Sequence, residues 1–530
     1  MQGLSKLEYY KRRYRRAYSI YTQWISLLQT CYHYCIPYRD LYYYTNQLQG
    51  TQKNAKVYDT TGVAATNNFV SKIHMALTPP QTDWAFLDAG TEIPEEQKEE
   101  VNIALQEQTR ILFNFIRNSN FDLAINECYY DLAVGTAVLC VNEGTSDDKP
   151  FIFYSIPLSR VCFEESINGY IESAYRFWEE TKISEIPIMW PDAILPDWMN
   201  TMLEADPNAT TKNLYEGVIY VHGDKLPYKY ALWVDSDVLL DVEEPISPWI
   251  IFRWSKINNE TYGRGPIQNA LPSILSLNEL FRIELVTANL NCAKPIMAWS
   301  DGVFNPWTFS IQPNTIIPIA PNAQGIFPLQ PLPDTANPQF LQLTAQDLRI
   351  QINKLMYADP LEPIRDKPTR TATELSIRQN NLAEEIGPAF TRLQQEFLSR
   401  LIQRCIYILQ KRGLMEPIII NGHEVQIKYK SPLVIEQGTS NLKSFITYFQ
   451  TVQAVVGENE AKMFIKPHEV PPWIAEQLHI DKRLYNSVDE MLQMLSAENE
   501  KREEIDELQM GEAYAGINRE VSELGGLQGV

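Results

Sequence analysis

The sequence predicts an α+β protein, mainly helical, on three grounds. Apolar residues recur at helical spacing over long segments toward both ends of the chain. Short apolar, β-branched runs cluster between Ala137 and Trp254. Two uninterrupted helical patterns, opening at Pro266 and Pro338, bracket a segment too dense in proline to be helical itself. With 530 residues the chain exceeds what one core usually fills, so more than one packed region is expected.

From Leu7 to Ile36, apolar residues at Ile20, Trp24, Leu27 and Leu28 mark an amphipathic helix that also carries Lys11, Arg12, Arg13, Arg15 and Arg16. That basic face either stays solvated or meets phosphate or an acidic neighbouring subunit. Helices follow over Thr60 to Leu77 and over Glu95 to Arg117, the second with Val101, Leu105, Leu112, Phe113 and Ile116 on its apolar side. A third runs through Ala124 to Leu132, and Gly135 is placed to stop it. Ala137 to Val141 then opens a sheet. Further strand-like runs stand at Phe151 to Ser155, Gly169 to Phe177, Gly217 to His222, Tyr228 to Val234 and Trp249 to Trp254. Between them Ile183 to Ala209, proline-rich and bearing Trp190 and Trp198, reads as an excursion from that sheet.

The texture changes at Gly265. Pro266 and Pro272 precede a helix running to about Asn291, since proline in a first turn presets the backbone. Cys292 to Asp334 cannot be helical, and a second helix returns over about Pro338 to Met356. The two form the legs of a hairpin, each roughly 30 to 40 Å long at about 1.5 Å per residue. Tyr357 to Arg370 is a loop stiffened by Pro360, Pro363 and Pro368. Thr371, three residues before Glu374, matches a capping box for a long helix reaching Arg412, where Gly413 and Pro417 end it. Gly387 and Pro388 fall inside that helix and should kink it. A strand pair, Pro417 to Ile420 with Glu424 to Tyr429, precedes several shorter helices and a glycine-rich end.

Composition narrows the function. A formal charge of −20 argues against a protein that grips nucleic acid over much of its surface, yet suits a wall along which a polyanion slides. Seven scattered cysteines fit reduced, buried thiols, and no apolar block of secretory or membrane-spanning kind occurs, so synthesis in the cytoplasm is expected. No G-x-x-x-x-G-K-[ST] cradle and no G-x-S-x-G elbow exists, and Gly263-Arg264-Gly265 lacks a dinucleotide fingerprint. In a helix Cys31 and Cys35 share a face while His33 points elsewhere, which disfavours a metal site. No cofactor, metal or catalytic residue is therefore expected. The rival is an acidic intracellular metal-dependent hydrolase acting on nucleic acid, its carboxylates brought together only by folding.

Three ordered motifs carry a resemblance. They are Asn67-Asn68-Phe69-Val70-Ser71-Lys72 through Leu77 and Pro79; Glu260-Thr261-Tyr262-Gly263-Arg264-Gly265 leading into Leu277-Asn278-Glu279-Leu280; and Arg370-Thr371-Ala372-Thr373-Glu374 followed by Ile386-Gly387-Pro388 and Leu393-Gln394-Glu396. In these the chain resembles the portal, or head-to-tail connecting, proteins of short-tailed bacteriophages (podoviruses).

The resemblance implies a portal fold: wing in 1–264 and again in 371–451, stem helices in 265–291 and 338–356, clip in 292–337, tunnel loop in 357–370, crown and tail in 452–530. It implies a structural ring, typically dodecameric, at the capsid vertex of the virion, conducting double-stranded DNA in packaging and ejection. Partners would be a tail adaptor, the terminase, the major capsid protein and scaffolding or internal core proteins, with no membrane. Channel-facing cations would be Arg349, Lys354, Arg365, Lys367 and Arg370, making transient phosphate contacts or pairing within the loop with Glu362 and Asp366. Trp299, Phe304, Trp307 and Phe309 would anchor a partner at the clip or form a small local core there. The chain departs from the family in its tyrosine-rich start and in the excursion near Trp190.

Overall fold

A computed structural model describes residues 5–39, 53, 55–80, 82–89, 95–178, 180–211, 213–293, 296–298, 329–331, 338–358, 387–416, 425–429, 432–457, 466, 469–477, 491, 494 and 496. They fall into two compact units. One is drawn from Met1–Thr82, Arg110–Thr373 and Leu382–Ile418, the other from Asp83–Thr109, Glu374–Asn381 and Ile419–Val530. In chain order the elements are α1 (Lys6–Cys35), α2 (Thr61–Leu77), β1 (Ala85–Ala89), α3 (Glu95–Arg117), α4 (Phe121–Val134), β2 (Thr136–Ser146) and β3 (Lys149–Ser155). Next come β4 (Val161–Glu165), β5 (Ile171–Trp178), β6 (Thr181–Lys182), α5 (Ile186–Met189), α6 (Asp197–Ala205), β7 (Thr210–Thr211), β8 (Leu214–Tyr220), β9 (Tyr228–Trp233), β10 (Val238–Glu244) and β11 (Trp249–Arg253). The remainder are α7 (Pro266–Ala293), β12 (Ile296–Ala298), β13 (Leu329–Pro331), α8 (Pro338–Leu355), α9 (Ser399–Lys411) and β14 (Val425–Tyr429), then helices Pro432–Val456 and Val470–Gln477.

The first unit is built on two antiparallel sheets, ordered β10-β9-β8-β5-β4 and β11-β2-β3. Successive side chains of a strand point to opposite faces, so the five-stranded sheet can hold a different layer on each side. One face carries Ser173, Tyr175 and Phe177 of β5, Tyr215 of β8, Trp233 of β9 and Asp241 of β10, and α1 lies on it. Tyr10 packs on Trp233 at 5.7 Å, Tyr14 on Tyr215 at 4.8 Å and Tyr18 on Phe177 at 6.2 Å, while the Tyr10 hydroxyl donates to Asp241. The opposite face carries Trp178, Leu214, Tyr230, Leu232 and Leu240. These join Ile183, Ile186, Trp190 and Met199 of the proline-rich excursion in a core of its own.

One polar cluster is sealed under that second face. Glu216 is fully buried and accepts from the Tyr230 hydroxyl at 2.6 Å and the Trp178 indole N–H at 3.0 Å, with Arg176 at 4.0 Å. Loss of hydration raises its carboxyl above the usual glutamate value of 4.5, and Arg176 and the two hydrogen bonds only partly oppose this. The stability gained by proton uptake is therefore complete below about pH 4.5 and lost as pH rises through the higher folded value. Glu216→Gln abolishes that gain, so the variant should compare best with wild type near pH 8 and fall behind as pH drops toward 5. Paired denaturant titrations at the two pH values check this, and a constant gap would refute the raised carboxyl.

Among the described residues α1 to α4, α7, α8 and the anticipated inner strands are present, the start of the long helix expected from Thr371 lies outside them, and strands beyond those anticipated include Ala85–Ala89, Val161–Glu165 and Val238–Glu244. Val161–Glu165 and Val238–Glu244 are the outer strands of the five-stranded sheet, and acidic residues at their ends weaken the strand signal. The strand at Val425–Tyr429 has a partner far away in sequence, Ala85–Ala89, in antiparallel register Ala85↔Tyr429; the expected neighbour at Pro417 to Ile420 lies outside the described residues. Ala-Phe-Leu-Asp-Ala carries no alternation that could reveal a partner so far along the chain. Helix Pro432–Val456 also runs through the expected division at 451/452 and ends at Gly457, where φ is +96°.

Candidate functional site

The two hairpin legs begin and end where the sequence places them. α7 has 28 residues and α8 has 18, hence rods of about 42 and 27 Å. They pack along one another, and their root is tied to α2. Asn278 on α7 accepts from the Tyr58 backbone N–H at 2.7 Å and donates to the Lys56 carbonyl at 3.2 Å. That fixes the segment leading into α2, where Asp59 accepts from the Thr61 N–H at 2.8 Å. The other oxygen of Asp59 accepts from Arg349 of α8 at 2.9 Å, and the same guanidinium lies over the Phe281 ring of α7 at 4.9 Å. Beyond α8 the backbone turns through Tyr357 at φ +53°, and Lys72 of α2 donates to the Tyr357 carbonyl at 3.0 Å. Both legs are thus clamped to one helix.

The chain reaches α7 through a glycine crossing. Gly135 ends α4 at φ +150°, and a Cβ there would stand 2.1 Å from the Gly263 carbonyl oxygen. A Cβ on Gly265 would stand 2.3 Å from the Ala133 oxygen. Backbones can pass this closely only without side chains. The crossing is stitched by hydrogen bonds from Gly263 N–H to Thr136 Oγ1 at 2.8 Å and from Gly265 N–H to the Val134 carbonyl at 3.0 Å. Around it Tyr262 is buried against Phe163 and Trp24, while Arg264 forms a two-bonded pair with Glu260.

Beside the crossing sits an ion pair sealed from water. Arg253, at the end of β11, has no exposed surface and donates through Nε and Nη2 to the two oxygens of Glu396, at 3.3 and 2.7 Å. Its remaining N–H groups reach the Gly169 and Thr261 carbonyls. Glu396 also accepts from the Arg253 backbone N–H and from Arg392, and it belongs to a π-helical turn, Gln394–Leu398, just before α9. A single wide turn of this kind rotates the side chains that follow it.

Of the residues singled out from sequence, Arg349 is half-committed to Asp59. Lys354 is exposed and makes no ion pair among the described residues. Arg365, Lys367 and Arg370 lie outside the described residues, as do Trp299, Phe304, Trp307 and Phe309. Gly387 and Pro388 open a helical stretch, 387–393, whose preceding residues are likewise outside, and the irregularity within the described part of that helix is the π turn. Of the α1 arginines, Arg13 is committed within the fold, to Glu164 at 2.6 Å and Ser173 at 3.1 Å. Sequence reasoning missed Arg253 and named Lys72, Asn278 and Glu396 only as motif residues, without their structural roles. One signal existed: Arg253 interrupts the apolar run Trp249 to Trp254, and a charge in a buried strand requires a buried partner.

Among the described residues no three of His, Cys, Asp and Glu are grouped to hold a metal ion, and no helix is long and apolar enough to cross a membrane. The described thiols are all buried, and burial pushes Cys31 and Cys128 up to about 12.

Described parts of the three ordered motifs, Phe69 and Lys72, Glu260 to Gly265 with Asn278, and Glu396, therefore lie around the hairpin root, while Arg370 to Glu374 and Ile386 are outside the described residues. A family model described as bacteriophage head to tail connecting protein matches residues 7–485. The chain belongs to that family. It is a structural connector of the phage virion at the capsid vertex and not an enzyme, which leaves the metal-dependent hydrolase without support. Similar proteins include a probable portal protein of Bordetella phage BPP-1, 20% identical over 465 residues, spanning 82% of this chain and 80% of the relative. A portal protein of Salmonella phage epsilon15 is 22% identical over 428 residues, 74% of this chain and 73% of its own. Among solved structures, a chain from the virion of a native gene transfer agent particle aligns with a TM-score of 0.35 at 12% identity. It covers 81% of the connector and 95% of itself, a likeness too distant to bear on the fold.

Proposed function

We propose that copies of this connector close into a ring, of the dodecameric kind typical of the family, along whose axis double-stranded DNA passes in packaging and ejection. Residues 1–264 and 371–451 form the wing, 265–291 and 338–356 the stem, 292–337 the clip, 357–370 the tunnel loop and 452–530 the crown. Arg365, Lys367 and Arg370 meet phosphates transiently, with Lys354 at the foot of that loop. Arg349 contributes less to the channel, because Asp59 already holds it. Trp299, Phe304, Trp307 and Phe309 serve a tail adaptor, and terminase, major capsid protein and scaffolding or internal core proteins dock elsewhere on the ring.

The observation that supports this best is the surface of the two legs. On the two legs Ile283, Leu285 and Val286 of α7 are about half exposed, and Leu343 and Ile350 of α8 are 63% and 65% exposed. A solitary chain leaves these side chains in water, and neighbouring copies would cover them. Mass measurement and negative-stain imaging should show closed rings with a central hole for the wild type, and folded monomers for Leu343→Glu/Ile350→Glu. A wild-type chain that stays solitary under every assembly condition would defeat the reading.

A further inference from the structure

The five-stranded sheet separates two outer surfaces of opposite character. On one side, α1 turns Tyr10, Ala17, Tyr21, Trp24 and Leu28 inward, and at about 100° per residue Arg12, Arg15 and Arg16 fall on its outward side. Arg12 and Arg15 are exposed and make no ion pair among the described residues, and Arg16 is 77% exposed, touching Glu164 only at 3.8 Å. Arg12 stands three residues before Arg15 and four before Arg16, spacings at which like charges repel along a helix.

On the other side, the excursion between Ile183 and Thr211 carries Glu185, Asp192, Asp197, Glu204 and Asp206 and contains no lysine, arginine or histidine. Its own core is closed by Ile186, Trp190 and Met199, yet Ile188 and Ile194 are 78% exposed, with Met189, Trp198 and Met202 also in water. Apart from Glu185, which has Lys182 at 3.7 Å, these carboxylates form no ion pair among the described residues. Exposed apolar side chains interspersed along the excursion with uncompensated carboxylates call for a partner that is cationic and carries aliphatic stems. The outer side of α1 supplies that chemistry, but the sheet stands between the two within one chain.

We propose that Arg12, Arg15 and Arg16 of one copy dock on the α5–α6 excursion of the next copy, their stems over Ile188, Ile194 and Met202 and their guanidinium groups among its carboxylates. Because it joins two different patches, the contact is heterologous, the kind that closes a ring when the rotation from copy to copy returns on itself. The contact rests on the ring reading above but adds a surface that the hairpin legs do not supply.

Charge reversal tests it on the full chain. Arg12→Glu/Arg15→Glu/Arg16→Glu and, separately, Asp197→Lys/Glu204→Lys/Asp206→Lys should each raise the concentration needed for assembly by about tenfold or more at low salt, with far-UV circular dichroism unchanged. The chain carrying both sets should recover assembly, and the differences should shrink in high salt. Rings that form equally well with either set reversed overturn the docking and leave the connector ring standing. Loss in both without recovery in the combined chain also overturns it. A wild-type chain that never assembles overturns the ring reading and the contact together.

Discussion

Removing the Glu396 carboxylate should destabilise the chain by about 3 kcal/mol, because Glu396→Ala takes away the two-bonded partner of a buried charge and leaves it only Glu165, at 3.7 Å and itself held by Lys256. The pair is sealed: Arg253 has no exposed surface, Glu396 almost none, and the charge sits between β11 and the π turn that leads into α9. Arg253→Met/Glu396→Leu removes both charges and should cost less than Glu396→Ala alone, since no unpaired ion remains. The double change is not neutral, for the Thr261 carbonyl loses the Arg253 donor and the Gly169 carbonyl keeps only Lys256 at 3.2 Å. Urea denaturation of the three proteins measures this. A single variant within about 1 kcal/mol of wild type would show that water already reaches the pair.

Gly265→Ala should be more damaging still. The new Cβ would meet the Ala133 oxygen at 2.3 Å and the Val134 carbonyl carbon at 2.5 Å, both backbone atoms at the junction of α4 and β2, which cannot swing away as a side chain could. We expect a loss beyond about 4 kcal/mol, which in a protein of ordinary stability leaves little folded chain. Gly413→Ala is the control. Gly413 adopts φ +70° after α9, and a Cβ added there would have nothing within 4 Å, so alanine meets only the left-handed backbone penalty of about 1 to 2 kcal/mol. Soluble yield and denaturation midpoints should rank wild type, Gly413→Ala and Gly265→Ala in that order. Equal behaviour of the two variants would mean that the crossing yields more readily than its atoms suggest.

These effects concern the connector's function because they act at the root of the hairpin. Lys72, Asn278 and Asp59 tie both legs to α2, and the glycine crossing and the Arg253–Glu396 pair set where α7 departs from the sheet. In the ring proposed here, every subunit repeats any error at this root. A small misdirection of the legs would therefore accumulate around the axis rather than average out.

The hairpin was legible from the chain's own residues. Proline at the start of each leg, apolar spacing along both and a proline-dense insert between them are local signals, and local backbone preference was enough to give α7 and α8 their limits. The inner strands and the separate character of the Ile183 to Ala209 excursion were legible too, because burial on both faces leaves an apolar run that needs no partner to be recognised. Which elements meet became visible in the folded chain alone. The pairing of Ala85–Ala89 with Val425–Tyr429, the acidic outer strands at Val161–Glu165 and Val238–Glu244, and the Arg253–Glu396 pair depend on residues far apart in the chain. The physical reason is that a hydrogen bond, an ion pair or a close glycine contact has an energy only between two partners. Neither partner's neighbours in sequence carry a trace of the other.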